Sequence, residues 1–173
     1  NADFDQKMRE FATASSNDLM NENLPTDEYI KRTAAREQQE YDELQKWKDD
    51  STLSANQRAQ LDARLQMLEY SRNSNEIQDA YAANPEDPQA KANYMAQEKD
   101  LKEYRVAMQN AEEFKDSPAM ERMRQLEKEL EAGGGLAAGS NVDSIKTKMN
   151  EAMRDFMQEL KKDPDAQEKV LSF

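Results

Sequence analysis

The chain of 173 residues is 35% charged and 36% hydrophobic, carries a net charge of −12, and contains neither cysteine nor histidine. Disulfides, thiol chemistry and a zinc site of the ordinary Cys/His kind are thereby excluded. A mean hydropathy of −1.15 leaves little apolar material for a large core and points instead to narrow apolar stripes on helices.

The first element is expected from about Asp3 to Asn21, with Phe4, Met8, Phe11 and Leu19 near one face. Ser15, Ser16 and Asn17 weaken it, because their side chains compete for backbone hydrogen bonds. Leu24-Pro25 breaks the chain, and Thr26 is the expected N-cap of a second helix running to about Asp50. Its stripe is Ile30, Ala34, Tyr41 and Leu44, interrupted by Glu37, with Trp47 beside it. Ser54 and Gln57 have the spacing of a capping box. Leu61, Leu65, Leu68, Ile77 and Tyr81 carry the following helix, with a kink or break expected in the polar run Ser71–Asn75.

Asn84-Pro85-Glu86-Asp87-Pro88 is the clearest joint, with Asp87 as cap and Pro88 in the first turn. The next stripe, Ala90, Tyr94, Leu101, Tyr104, Met108 and Ala111, predicts one helix to Lys115. Ser117-Pro118 starts another, with Ala119, Met123, Leu126 and Leu130 at 4-3-4 spacing. All four glycines fall between Gly133 and Gly139, which reads as a linker. A capping box at Ser140 and Asp143 opens the most amphipathic segment, and a short helix from Asp165 to Leu171 ends the chain.

The expected fold is therefore all-α: an elongated antiparallel bundle of five to seven helices. The expected organisation is a bundle over 1–132, a linker over 133–139 and a C-terminal amphipathic piece over 140–173. Val and Ile occur only six times, and no segment alternates as a strand does. The near-regular spacing of the joints raises a helical repeat, but the small and aromatic residues do not fall at the offsets of a tetratricopeptide unit.

The chemistry-bearing residues are few. Without histidine, general acid–base work falls to carboxylates, and Glu37, set within an apolar stripe, is the leading acid; its simpler reading is a stripe-edge residue paired with Arg or Lys of a neighbouring helix. Glu-x-x-His di-iron ligation is impossible, and no glycine sits in an acidic calcium loop. The glycine run has no preceding strand and no Lys-Ser/Thr pair, so it does not read as a phosphate cradle. The acidic surface repels nucleic acid and anionic membranes. Lys146, Lys148, Arg154, Lys161 and Lys162 are offset by Asp143, Glu151, Asp155 and Glu159, so no basic stripe survives. Denser acidic patterning would be expected of a DNA mimic.

Ile145, Met149, Met153, Phe156, Met157 and Leu160 form a wide Met-rich face that suits either a core or a partner surface. The leading expectation is a non-catalytic helical protein–protein interaction factor of accessory, adaptor or chaperone-like type. It needs no cofactor, metal or nucleic acid and engages a protein partner or a second copy of itself. A self-assembling coiled-coil module and a carboxylate-based enzyme are the alternatives. No stretch approaches the ~20 apolar residues of a membrane span. The start at Asn1 rather than Met leans the expected location towards export.

Overall fold

The computed structural model describes residues 1–133 and 142–165. Every regular element among them is helical: α1 (Ala2–Met20), α2 (Thr26–Gln45), α3 (Ala55–Ala83), α4 (Pro88–Gln109), a single 3₁₀ turn (Glu112–Phe114), α5 (Pro118–Ala132) and α6 (Val142–Lys162). Six α-helices fall within the expected five to seven. The Ser140 cap, the glycines beyond Gly133 and the terminal helix to Leu171 lie outside the described residues. The chain forms two compact units, Asn1–Glu98 and Lys99–Phe173, with the division inside α4.

In the N-terminal unit, side-chain pairs fix the helix directions. Asp18, late in α1, meets Arg32 and Arg36, early in α2, while Lys7 meets Glu43; the two helices are antiparallel. Arg64 holds Glu40 with two hydrogen bonds of 2.6 and 2.7 Å, and Ser71, two turns further along α3, bonds Glu37, one turn earlier in α2, so α3 runs antiparallel to α2. The first half of α4 folds back on the end of α3: Tyr81 and Tyr94 stack at 4.4 Å, and Gln97 donates to the Ser74 hydroxyl. Phe4, Leu44, Leu61, Leu65 and Leu68 make the core, with the Trp47 ring edge-on to Phe4 at 5.7 Å.

Three local expectations in this unit require correction. Pro25 rather than Thr26 precedes the first helical residue of α2, and no side chain caps that end. The α2 helix stops at Gln45, short of Asp50; the Lys48 and Asp50 carbonyls accept from the Arg58 guanidinium instead of from a continuing helix. The α3 helix, 29 residues long, runs unbroken through Ser71–Asn75. The side chains that would compete with its backbone are engaged elsewhere: the Ser71 hydroxyl bonds Glu37, and Ser74 accepts from Gln97. The Ser54–Gln57 capping box forms as expected, and Gln57 Nε2 reaches on to the Asn1 carbonyl and Asp5, tying α3 to the start of α1.

In the C-terminal unit, α4 ends at Gln109 rather than Lys115. The 3₁₀ turn that follows drops Phe114 into the core, where it is 4% exposed. Arg124 of α5 donates to the Gln109 carbonyl, satisfying one of the orphan acceptors at that helix end. Lys102 with Glu131 and Arg105 with Glu127, each at 2.7 Å, set α5 antiparallel to the second half of α4. Ser117 caps α5 through the Met120 amide at 3.2 Å, with Pro118 in the first turn.

Candidate functional site

Two regions are candidates for a functional site: the apolar face of α6 and a groove between α2 and α3.

The α6 face lies against α5. Met149 and Phe156 are 7% and 1% exposed and share a core with Met120, Met123 and Leu126. Ala119 and Ala152, 0% and 2% exposed, keep this contact close. The Phe156 ring meets Phe114 edge-on at 5.0 Å. Ile145, Met153 and Leu160 pack at the edge of the cluster, and Met157 is 41% exposed. Glu159 fastens the far end, accepting from the Ser117 hydroxyl at 2.6 Å and the Ala119 amide at 3.3 Å, and Arg122 pairs with Asp155 at 2.6 Å. Five of the six residues picked out by the sequence are thus engaged in packing within this unit. Engaging a partner through Met149 and Phe156 requires α6 to leave α5. Arg154, counted in the sequence among the offset cations of this helix, is 6% exposed; nothing in its spacing signalled burial.

The α2/α3 groove has a volume of about 310 Å³ and is lined by Ala34, Glu37, Gln38 and Tyr41 of α2 and by Leu68, Arg72, Asn75, Glu76 and Asp79 of α3. These are successive turns of two antiparallel helices, so the groove has the run of a helix track. It opens on a different side of α2 from α1, whose ion pairs are with Arg32, Arg36 and Glu43. Leu68 and Tyr41 give it an apolar floor, and Ile30, one turn before Ala34, stands 43% exposed.

Glu37 is half-buried in this groove. Burial pushes its carboxyl above the ordinary glutamate range, and Glu40 adds to the shift; Arg64, Arg36 and the Ser71 hydrogen bond oppose it. The simple expectation of a partnered stripe-edge acid is met in part, since Arg64 and Ser71 of α3 face it, yet burial outweighs them. Glu76 and Asp79 give the rim two further acids against the single cation Arg72. By contrast, the α5/α6 groove of about 460 Å³ carries Glu121, Glu151 and Asp155 against Arg122 and Lys148, a nearly balanced set.

The tyrosines divide. Tyr29 and Tyr94 are buried, while Tyr70 and Tyr104 are 63% and 44% exposed. Among the described residues no three acidic side chains gather as a metal ligand set would require, and no helix is long and apolar enough to cross a membrane. No family model, curated protein or solved structure matches the chain.

Proposed function

We propose that this protein is a non-catalytic helical interaction factor that receives a basic amphipathic helix of a partner polypeptide in the α2/α3 groove. The observation that carries this reading is the groove itself: an apolar floor of Tyr41 and Leu68 between two helices, with three acids, Glu37, Glu76 and Asp79, and one cation, Arg72, in its lining. An amphipathic helix lays apolar anchors into such a track, and lysine or arginine at the edges of its apolar face meets the acidic rim. Ile30 and Ala34 extend the apolar wall by two turns of α2. A cation brought to Glu37 favours its charged form and offsets the desolvation that the free protein bears there.

The test is a calorimetric titration of the full chain with two designed amphipathic peptides sharing the same apolar face, one with lysine and one with glutamate on the flanks. The lysine peptide is expected to bind, more weakly as salt rises, and to lose at least tenfold in affinity to a Glu76→Lys, Asp79→Lys variant. Equal binding of both peptides, or binding indifferent to the charge reversal, overturns the reading.

A further inference from the structure

The seven charged residues of α3 are Arg58, Asp62, Arg64, Glu69, Arg72, Glu76 and Asp79. None of them falls on the series Asn56, Gln60, Ala63, Met67, Tyr70, Ser74, Ile77 and Tyr81. That series advances by four and three alternately through the whole helix, the a/d spacing of a coiled-coil seam. It is a different face from Leu61, Leu65 and Leu68, which close the core with Phe4 and Leu44. Its far end is covered within the unit by α4, through Gln97 on Ser74 and Tyr94 on Tyr81, and there the residues are half-buried. From Asn56 to Tyr70 the seam is exposed, with Met67 at 54% and Tyr70 at 63%.

We propose that this open part of the seam pairs with the same face of a second copy of the chain, in antiparallel register about the point midway between Ala63 and Met67. Two observations select a second copy as the occupant. The first is size. A two-fold axis at that point sets Met67 of each copy against Ala63 of the other and Tyr70 against Gln60, so each large side chain meets a shorter one. The face is self-complementary, as an isologous contact requires. The Tyr70 hydroxyl and the Gln60 amide also supply one another's hydrogen bond. The second is charge. Two copies each carrying −12 repel, and most surfaces would bring carboxylates together. Here the seam is uncharged, and so are the flanking positions Ala59, Gln66 and Asn73. The one flanking cation, Arg64, is held by Glu40 of its own chain. The contact, from Gln60 to Tyr70 on each copy, is a short one of about three turns, so the dimer is weak and concentration-dependent.

Sedimentation equilibrium of the full chain across micromolar to millimolar concentration, at moderate salt, reads the association. The expected result is a reversible monomer–dimer equilibrium that Ala63→Glu abolishes while circular dichroism and thermal midpoint stay unchanged, since Ala63 is exposed. Because the chain has no cysteine of its own, the register is read directly by oxidation of two single-cysteine variants, Ala63→Cys and Met67→Cys. Mixed together they are expected to crosslink efficiently, and each alone poorly. A monomer at every concentration overturns the proposal, as does a dimer that survives Ala63→Glu or crosslinking confined to like pairs. The seam and the α2/α3 groove use different sides of α3, so Glu76→Lys, Asp79→Lys leaves the dimer intact and the two readings fail separately.

Discussion

The two compact units solve the same shortage of apolar residues in different ways. The C-terminal unit concentrates its large apolar residues: Met108, Phe114, Met120, Met123, Leu126, Met149 and Phe156 form one cluster, with alanines letting α5 and α6 approach. The N-terminal unit has a smaller cluster of Phe4 and four leucines and leans more on ion pairs of buried carboxylates, Asp18 and Glu40, a device the C-terminal unit also uses at Glu127 with Arg105. Asp18, 8% exposed, receives three hydrogen bonds from Arg32 and Arg36, and Glu40, 3% exposed, receives two from Arg64. Apolar packing is non-directional, whereas these pairs fix which turn of one helix meets which turn of the next. Their net contribution to stability is small, but losing one partner strands a buried charge. The comparison therefore predicts two kinds of fragility, one of volume and one of charge.

The largest effect is expected in the C-terminal cluster. Phe156→Asp puts a carboxylate in a position only 1% exposed and is expected to cost about 4 kcal/mol or more, a fall of roughly 10 °C in thermal midpoint. Met153→Asp, at the edge of the same cluster, is expected to cost less than half as much. If α6 serves as a releasable partner surface instead, Phe156→Asp leaves the midpoint nearly unchanged and removes binding alone. In the N-terminal unit, Glu40→Ala strips Arg64 of its partner and is expected to cost about 3 kcal/mol, since the Glu40 side chain is only 4% exposed. A cost near zero in denaturant titration would mean that Arg64 turns out to water, and that the α2/α3 register is held by apolar contacts.

The charge-based unit is also the one expected to respond to acid. The Arg32 hydrogen bonds hold the Asp18 carboxyl below its ordinary value of 3.8, and Arg36 assists against the opposing effect of burial. A depressed folded pKa contributes stability that is present above the unfolded value and lost as pH falls through the folded one. The stability gap between wild type and Asp18→Asn is therefore expected to hold steady from neutrality down to about pH 4 and to close below it. A gap that is unchanged at pH 2 assigns the effect of the substitution to geometry rather than to charge.

The helices themselves were legible because their signals are local. The Ser54–Gln57 box and the Asp87-Pro88 and Ser117-Pro118 starts need only neighbouring residues, and each appears where expected. The misread positions are those where a distant side chain intervenes. Ser71 and Ser74 stay helical because Glu37 and Gln97 occupy their hydroxyls, and past the end of α2 the Lys48 and Asp50 carbonyls accept from Arg58 rather than from a continuing helix. The α6 stripe was visible as a stripe, but which helix covers it is tertiary information. The uncharged seam of α3 was present in the sequence and went unread because its first half holds alanine, glutamine and asparagine. Such residues carry no apolar signal, and the face is marked only by its lack of charge.

The smallest expected effect sharpens the comparison most, because it concerns a charge the N-terminal unit buries without full compensation. Burial raises the Glu37 carboxyl above its ordinary 4.5. A raised folded pKa means that the neutral form is the one the fold prefers; its contribution is fully present below the unfolded value and is lost as pH rises through the folded one. At neutral pH the ionised Glu37 is therefore a net cost. Glu37→Gln removes the charge, keeps an acceptor for the Ser71 hydroxyl, and is expected to stabilise the free protein at pH 7 by less than about 1 kcal/mol, Glu37 being partly solvated. The gain should shrink to nothing near pH 4. The same variant is expected to bind the lysine peptide more weakly, because the cation loses one of its partners in the groove. Stabilisation together with weakened binding identifies Glu37 as a residue whose cost in the free protein is offset in the complex. A variant no more stable than wild type at pH 7 shows instead that Arg64 and Arg36 already balance the buried charge, which would place Glu37 with Asp18 and Glu40 among the residues that set helix register.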